Sequence, residues 1–139
     1  MAAQCNAVVP SAAAWFGDRS YPMLSVAVTP DGRRIVASWG KIAKVWEAQT
    51  GRNICTFIGH SNMITSSAFS PDGKWLAWTI LKTGNPSQVY VADYPGLSKR
   101  WKVSTELGAA PVWSADGRSL FYVAGQDVWR TAFRPGQDP

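Results

Sequence analysis

The sequence predicts an all-β fold of antiparallel four-stranded β-propeller blades, about three of them, in an incomplete or open ring. Two observations carry this. The first is one phrase met three times: Val28-Thr29-Pro30-Asp31-Gly32-Arg33, Phe69-Ser70-Pro71-Asp72-Gly73-Lys74 and Trp113-Ser114-Ala115-Asp116-Gly117-Arg118. Its aspartates fall 41 and 44 residues apart, and a period of roughly 40–45 residues with four strands per unit marks a propeller blade. The second is the text between the copies: short apolar stretches, several in strict apolar/polar alternation, parted by Gly, Pro, Asn and Asp. No helical periodicity competes with it. The one Ala-rich stretch, Ser11 to Ala14, is short and follows Pro10.

The elements follow in order. In the first unit, residues 23–58, Leu24, Val26 and Val28 alternate with Ser25, Ala27 and Thr29 as a strand. Pro30-Asp31-Gly32 turns the chain, since Pro presets φ, Asp bonds back to the backbone and Gly accepts positive φ. Strands over Ile35 to Trp39, Ile42 to Glu47 and Asn53 to Ile58 complete the unit. The second unit, 59–104, has strands over Ile64 to Phe69, Trp75 to Leu81, Gln88 to Tyr94 and Arg100 to Ser104. The third, 105–133, has Pro111 to Ser114, Leu120 to Val123 and Val128 to Phe133, and no fourth strand. Residues 1–22 read as an N-terminal segment, either an outer strand over Cys5 to Phe16 or the remnant of a preceding blade. Residues 134–139 read as a polar disordered tail.

Composition narrows the function classes. The 139 residues carry a net charge of +5, from 14 Lys and Arg against 9 Asp and Glu. Those charges are scattered, and the densest group is Lys99, Arg100 and Lys102 around Trp101. Without a nucleic-acid-binding motif beside it, that group reads as the solvated side of an outer strand, so no nucleic-acid partner is expected. No run reaches the ~18 apolar residues of a membrane span. The first 18 residues hold no Lys or Arg, unlike a secretory leader, so the expected location is cytoplasmic by default. Cys5 and Cys55 fit no metal spacing. Cys55, among Ile54, Phe57 and Ile58, reads as a small packed hydrophobe, with a Cys5–Cys55 bridge as the alternative.

Two family resemblances sharpen the fold. Gly59-His60, Phe69-Ser70-Pro71-Asp72-Gly73 and Lys44-Val45-Trp46-Glu47 resemble the Gly-His dipeptide, the turn and the closing V-W-D of WD repeats. Val89-Tyr90-Val91, Tyr94-Pro95-Gly96, Trp101-Lys102-Val103-Ser104-Thr105 and Pro111 to Ser114 running through Asp116-Gly117 to Leu120-Phe121-Tyr122 resemble TolB-like propeller repeats. Together the two cover Met23 to Phe133. The WD resemblance implies a His–Ser/Thr–Trp–Asp network inside each blade, and no repeat here has the full set. Ala92 stands at the Trp position of the second unit, and Arg130 follows Trp129. Blade rigidity is therefore expected to rest on apolar packing.

Chemistry finds little purchase. His60 is the only histidine and has no G-x-S-x-G elbow to serve. Asp31, Asp72 and Asp116 lie one per blade, whereas calcium needs six to eight converging oxygens. With Gly32, Gly73 and Gly117 they read as structural turns. No catalytic, cofactor or metal site is expected. Candidate interaction residues are Trp39, Trp78 and Tyr122, which end equivalent strands, and Trp101; for the first three the competing assignment is inter-blade core.

Propellers close with about 4–8 blades, and three cannot. A blade face leaving ~400 Å² of apolar area wet forgoes about 10 kcal/mol at ~25 cal/mol/Å², as much as a whole domain's stability of about 5–15 kcal/mol. The expected role is a non-catalytic interaction scaffold with a protein partner, or self-association, through open blade edges. A TolB-like ligand sensor, or a propeller accessory to a hydrolase or kinase domain, stands as the alternative.

Overall fold

The computed structural model describes residues 23–57 and 62–134. Eleven strands run in chain order: β1 Met23–Val28, β2 Arg34–Trp39, β3 Ile42–Glu47, β4 Asn53–Phe57, β5 Met63–Phe69, β6 Trp75–Leu81, β7 Gln88–Asp93, β8 Arg100–Lys102, β9 Ala109–Trp113, β10 Ser119–Ala124 and β11 Asp127–Ala132. They form three antiparallel meanders. Two have four strands, β1-β2-β3-β4 and β5-β6-β7-β8, and the third has three, β9-β10-β11. The described residues contain no helix.

The repeated phrase builds the same hairpin three times. Pro30 and Pro71 occupy the second position of a type I turn, and Gly32, Gly73 and Gly117 follow at φ 68°, a left-handed conformation that glycine adopts without strain. Each turn is closed by a short network. The hydroxyls of Thr29, Ser70 and Ser114 donate to Oδ1 of Asp31, Asp72 and Asp116 at 2.6, 2.6 and 2.5 Å. The amides of Arg33, Lys74 and Arg118 donate to the same oxygens at 3.0, 3.0 and 2.9 Å. The amides of Arg34, Trp75 and Ser119 donate back to the hydroxyls at 3.0, 3.0 and 2.9 Å.

Alternation then decides which faces meet. Val36, Ala43 and Val45 of the first sheet pack against Phe69, Leu76, Trp78, Ile80 and Ala92 of the second. The second sheet's other face, Ala77, Val89 and Val91, packs against Trp113, Leu120, Tyr122 and Phe133. The middle sheet is thus covered on both sides. Each innermost strand carries a register shift near its start, between Met23 and Ser25 in β1, between Ile64 and Ser66 in β5, and in the β9 pairing between Ala109 and Val112. Bulges of this kind sharpen the twist that sets one blade against the next.

Blade rigidity comes from packed rings and a few hydrogen bonds. At the hairpin end of the first seam, Phe69 and Tyr94 meet edge to face at 5.0 Å, and Arg34 lies over the Tyr94 ring at 5.6 Å while donating to its hydroxyl at 3.0 Å. The second seam repeats the device with rings alone: Trp113 meets Phe133 at 5.0 Å and Trp75 meets Phe133 at 4.9 Å. Each such pair adds about 0.5–1.5 kcal/mol beyond area burial. His60, and the readings made for residues 1–22 and 135–139, lie outside the described residues.

Candidate functional site

Sequence reasoning offered four aromatic residues as an interaction surface, and the fold treats them unequally. Trp78 is 6% exposed and Tyr122 5%. Both side chains point from their sheets into the preceding seam, because the alternation that buries Leu76 and Leu120 carries Trp78 and Tyr122 with them. That corrects their candidacy: they are core. Trp39 and Trp101 are half-buried. Trp101 leans on Trp75 at 5.6 Å. Around it Arg100 lies over the Tyr90 ring at 5.3 Å, and Lys102 donates to the Thr105 carbonyl at 3.1 Å.

The turn aspartates are held in place by their own hairpins. The Thr29 hydroxyl and the Arg33 amide hold the Asp31 carboxyl below its ordinary value, and Ser114 and Arg118 do the same for Asp116. For Asp72, burial pushes upward, and the Ser70 hydroxyl with the Lys74 amide outweighs it. Among the described residues no group of three or more His, Cys, Asp or Glu converges as metal ligands would. Cys55 is a free, half-buried thiol; Cys5, its partner in the alternative bridge, lies outside the described residues. Burial raises its pKa, away from the thiolate that a nucleophile requires.

Two hollows lie where the first two blades meet. One, about 270 Å³, is lined by Val36, Ala43, Leu76, Trp78 and Ala92 with Ser38 and Arg100. The other, about 280 Å³, separates the first two turns and is bordered by Asp31, Arg34, Asp72 and Tyr94. Their walls are seam residues and turn residues.

Among the described residues, exposed apolar side chains gather on the outer face of the third sheet. In the other two sheets the third strand, β3 or β7, has two or more fully buried residues flanked by a fourth strand. β11 has no such neighbour among the described residues, and five of its six residues are exposed. Val128 is 72% exposed and Trp129 53%. Register places Val128 opposite Val123 and Arg130 opposite Phe121, with Val112 opposite Phe121 on the other side. These residues share one outward face, on which Val112 is 60% and Val123 41% exposed. Sequence reasoning did not single out Trp129 as a surface residue.

Stacked four-stranded meanders joined by inner strands define the class: these are blades of a β-propeller. A solved crystal structure, that of the tricorn protease, carries the same fold, at a TM-score of 0.58 and 23% identity over 72% of this chain and 11% of that one. The repeats themselves resemble the WD type. Residues 14–47 and 51–79 match the family model "WD domain, G-beta repeat". Similar proteins include the nuclear distribution protein nudF of Aspergillus niger, 26% identical over 95% of this chain and 28% of its own length. Mouse coronin-7 is 37% identical over 66% of this chain and 10% of its own. The chain therefore spans under a third of the length of these relatives.

Proposed function

We propose that this chain is a non-catalytic protein-interaction module whose docking surface is the outer face of the third sheet, Val112, Phe121, Val123 and Val128, with Trp129 exposed on the other side of β11. The observation that carries the reading is the contrast between that face and the two seams. The positions of Val123 and Val128 are buried in the first sheet as Ser38 and Ala43 and in the second as Thr79 and Val89, and stand open in the third. A contiguous exposed apolar patch of this kind marks an interaction site more often than it marks chance. The turn carboxylates are engaged, and the one described thiol is shifted towards its inert form, which supports the absence of catalysis.

A photoreactive residue tests the reading. Val128→benzoylphenylalanine in the full chain, irradiated in the producing cells, is expected to give polypeptide adducts of defined mass. The same residue at Thr83, in the exposed β6–β7 loop, is expected to give none. Equal labelling at both positions, or no adduct at Val128, defeats the proposal.

A further inference from the structure

The repeat that builds the first two sheets departs from itself at one buried position. Register pairs Ile35 with Trp46 in the first sheet and Leu76 with Ala92 in the second. Trp46 and Ala92 therefore hold the same place on the same face of their sheets. Trp46 is 2% exposed and Ala92 1%. An indole fills that place in one sheet and a methyl group in the other. The hollow of about 270 Å³ lies where the second sheet lacks the indole: Ala92 and Leu76 line it from that sheet, Val36 and Ala43 from the first. An apolar cavity of ~150 Å³ already takes benzene, so this one has room for a ring and a short chain.

The β7–β8 turn and β8 give the hollow a strained wall and a charged rim. Leu97 sits in the left-handed region at φ 48°, a conformation that leucine adopts only at a cost. Its amide donates to the Asp93 carbonyl at 2.8 Å, and its side chain packs on the first seam as part of the hollow's wall. Strain of this kind persists where the surroundings impose it, and it collects at ligand clamps. Three residues on, the exposed Arg100 stands at the rim, paired in its strand with Ala92. Its guanidinium lies over the Tyr90 ring at 5.3 Å, and Tyr90 stacks at 6.0 Å on Trp78, another wall residue. Among the described residues Arg100 meets no carboxylate. Asp93, at the head of the same turn, is engaged by the Ser98 hydroxyl at 2.8 Å and the Lys99 amide at 2.7 Å. The rim thus holds an uncompensated cation on an aromatic stack, above an apolar floor.

We propose that this hollow binds a small apolar carboxylate, an aromatic or short aliphatic acid. Its body lies on Leu76, Trp78 and Ala92, and its carboxylate on Arg100. A guanidinium fork matches a carboxylate in two parallel hydrogen bonds, and the net charge of +5 draws an anion rather than a cation. The hollow lies in the seam between the first and second sheets, whereas the docking face is the far side of the third. The inference therefore goes beyond the interaction reading and does not depend on it.

NMR titration of the full, isotope-labelled 139-residue chain tests this, with phenylpropanoate as the probe and phenylpropanol as its uncharged counterpart. The acid is expected to give saturable shifts centred on Val36, Trp78, Ala92 and Arg100, with a dissociation constant of about 1 mM or tighter. Added NaCl weakens it, and the alcohol binds at least about tenfold more weakly. Arg100→Gln is expected to bring the acid down to the level of the alcohol and to leave the alcohol unchanged. Lys102→Gln, on the same strand but outside the hollow's wall, is expected to change neither. Ala92→Trp restores the indole of the first sheet and is expected to abolish both; should that chain lose its folded spectrum, Arg100→Gln decides. The inference is overturned by the absence of saturable shifts up to about 20 mM acid, or by an alcohol that binds as tightly as the acid. Equal weakening by Lys102→Gln and Arg100→Gln, or full binding by a folded Ala92→Trp chain, overturns it as well.

Discussion

Replacing Ser70 with alanine removes one oxygen and disturbs two groups. Ser70 is 1% exposed. Its hydroxyl donates to Asp72 at 2.6 Å and accepts from the Trp75 amide at 3.0 Å. After Ser70→Ala the Trp75 amide loses its acceptor in a part-buried site, and Asp72 keeps its Lys74 amide bond at 3.0 Å but loses the hydroxyl. A lost hydrogen bond that strands a buried donor costs about 1–3 kcal/mol, so a loss of about 2 kcal/mol is expected. At roughly 3–5 °C per kcal/mol for a chain of this size, the melting temperature falls by about 6–10 °C. Ser114 makes the same two bonds in a half-buried setting. Water can replace its hydroxyl, and Ser114→Ala should cost about 1 kcal/mol or less. Urea unfolding of both variants, with a Ser70→Ala/Asp72→Asn cycle to isolate the pair, measures the difference. A Ser70→Ala loss below about 0.5 kcal/mol, or one no larger than that of Ser114→Ala, would falsify the idea that the hydroxyl is the keystone of each turn.

Three further expectations follow from the same geometry. Ala115 occupies the turn position held by Pro30 and Pro71, where the amide takes no part in the turn network, and Ala115→Pro should therefore stabilise by about 0.4–1 kcal/mol in denaturant titration. Gly108→Ala would place a Cβ 2.7 Å from Ser104 Cβ and 3.1 Å from Tyr122 Cδ2, and should destabilise by about 1–3 kcal/mol in a thermal melt. The carboxyls of Asp31, Asp72, Asp93 and Asp116 all lie below their ordinary value when folded. Their contribution is therefore present above the unfolded pKa of about 4 and is lost as pH falls through the lower folded values. Melting temperature followed from neutral pH to about pH 2 should drop below about pH 4, and less steeply in Asp31→Asn/Asp72→Asn/Asp116→Asn; equal slopes would refute the assignment.

All eleven strands were legible in the sequence to within about two residues, because period-2 alternation between Asp-Gly turns leaves few other structures open. The turns were legible in their aspartates and glycines but not in Thr29, Ser70 and Ser114, whose role depends on a hydroxyl reaching across the hairpin. The aromatic residues were least legible. Trp78, Tyr122 and Trp129 all stand in strands and differ only in what lies above them, and that is set by neighbours more than 30 residues away in the chain.

Taken alone, the sequence determined the local structure: strand, turn and repeat. Those are properties of backbone stereochemistry and short-range patterning. Tertiary structure decided which side of each strand became a seam, since burial follows from how one sheet is set against the next. It placed Trp78 and Tyr122 inside and left Val112, Val123 and Val128 outside. The repeat announces an edge; only the packing of the sheets shows which edge is open and what chemistry it presents.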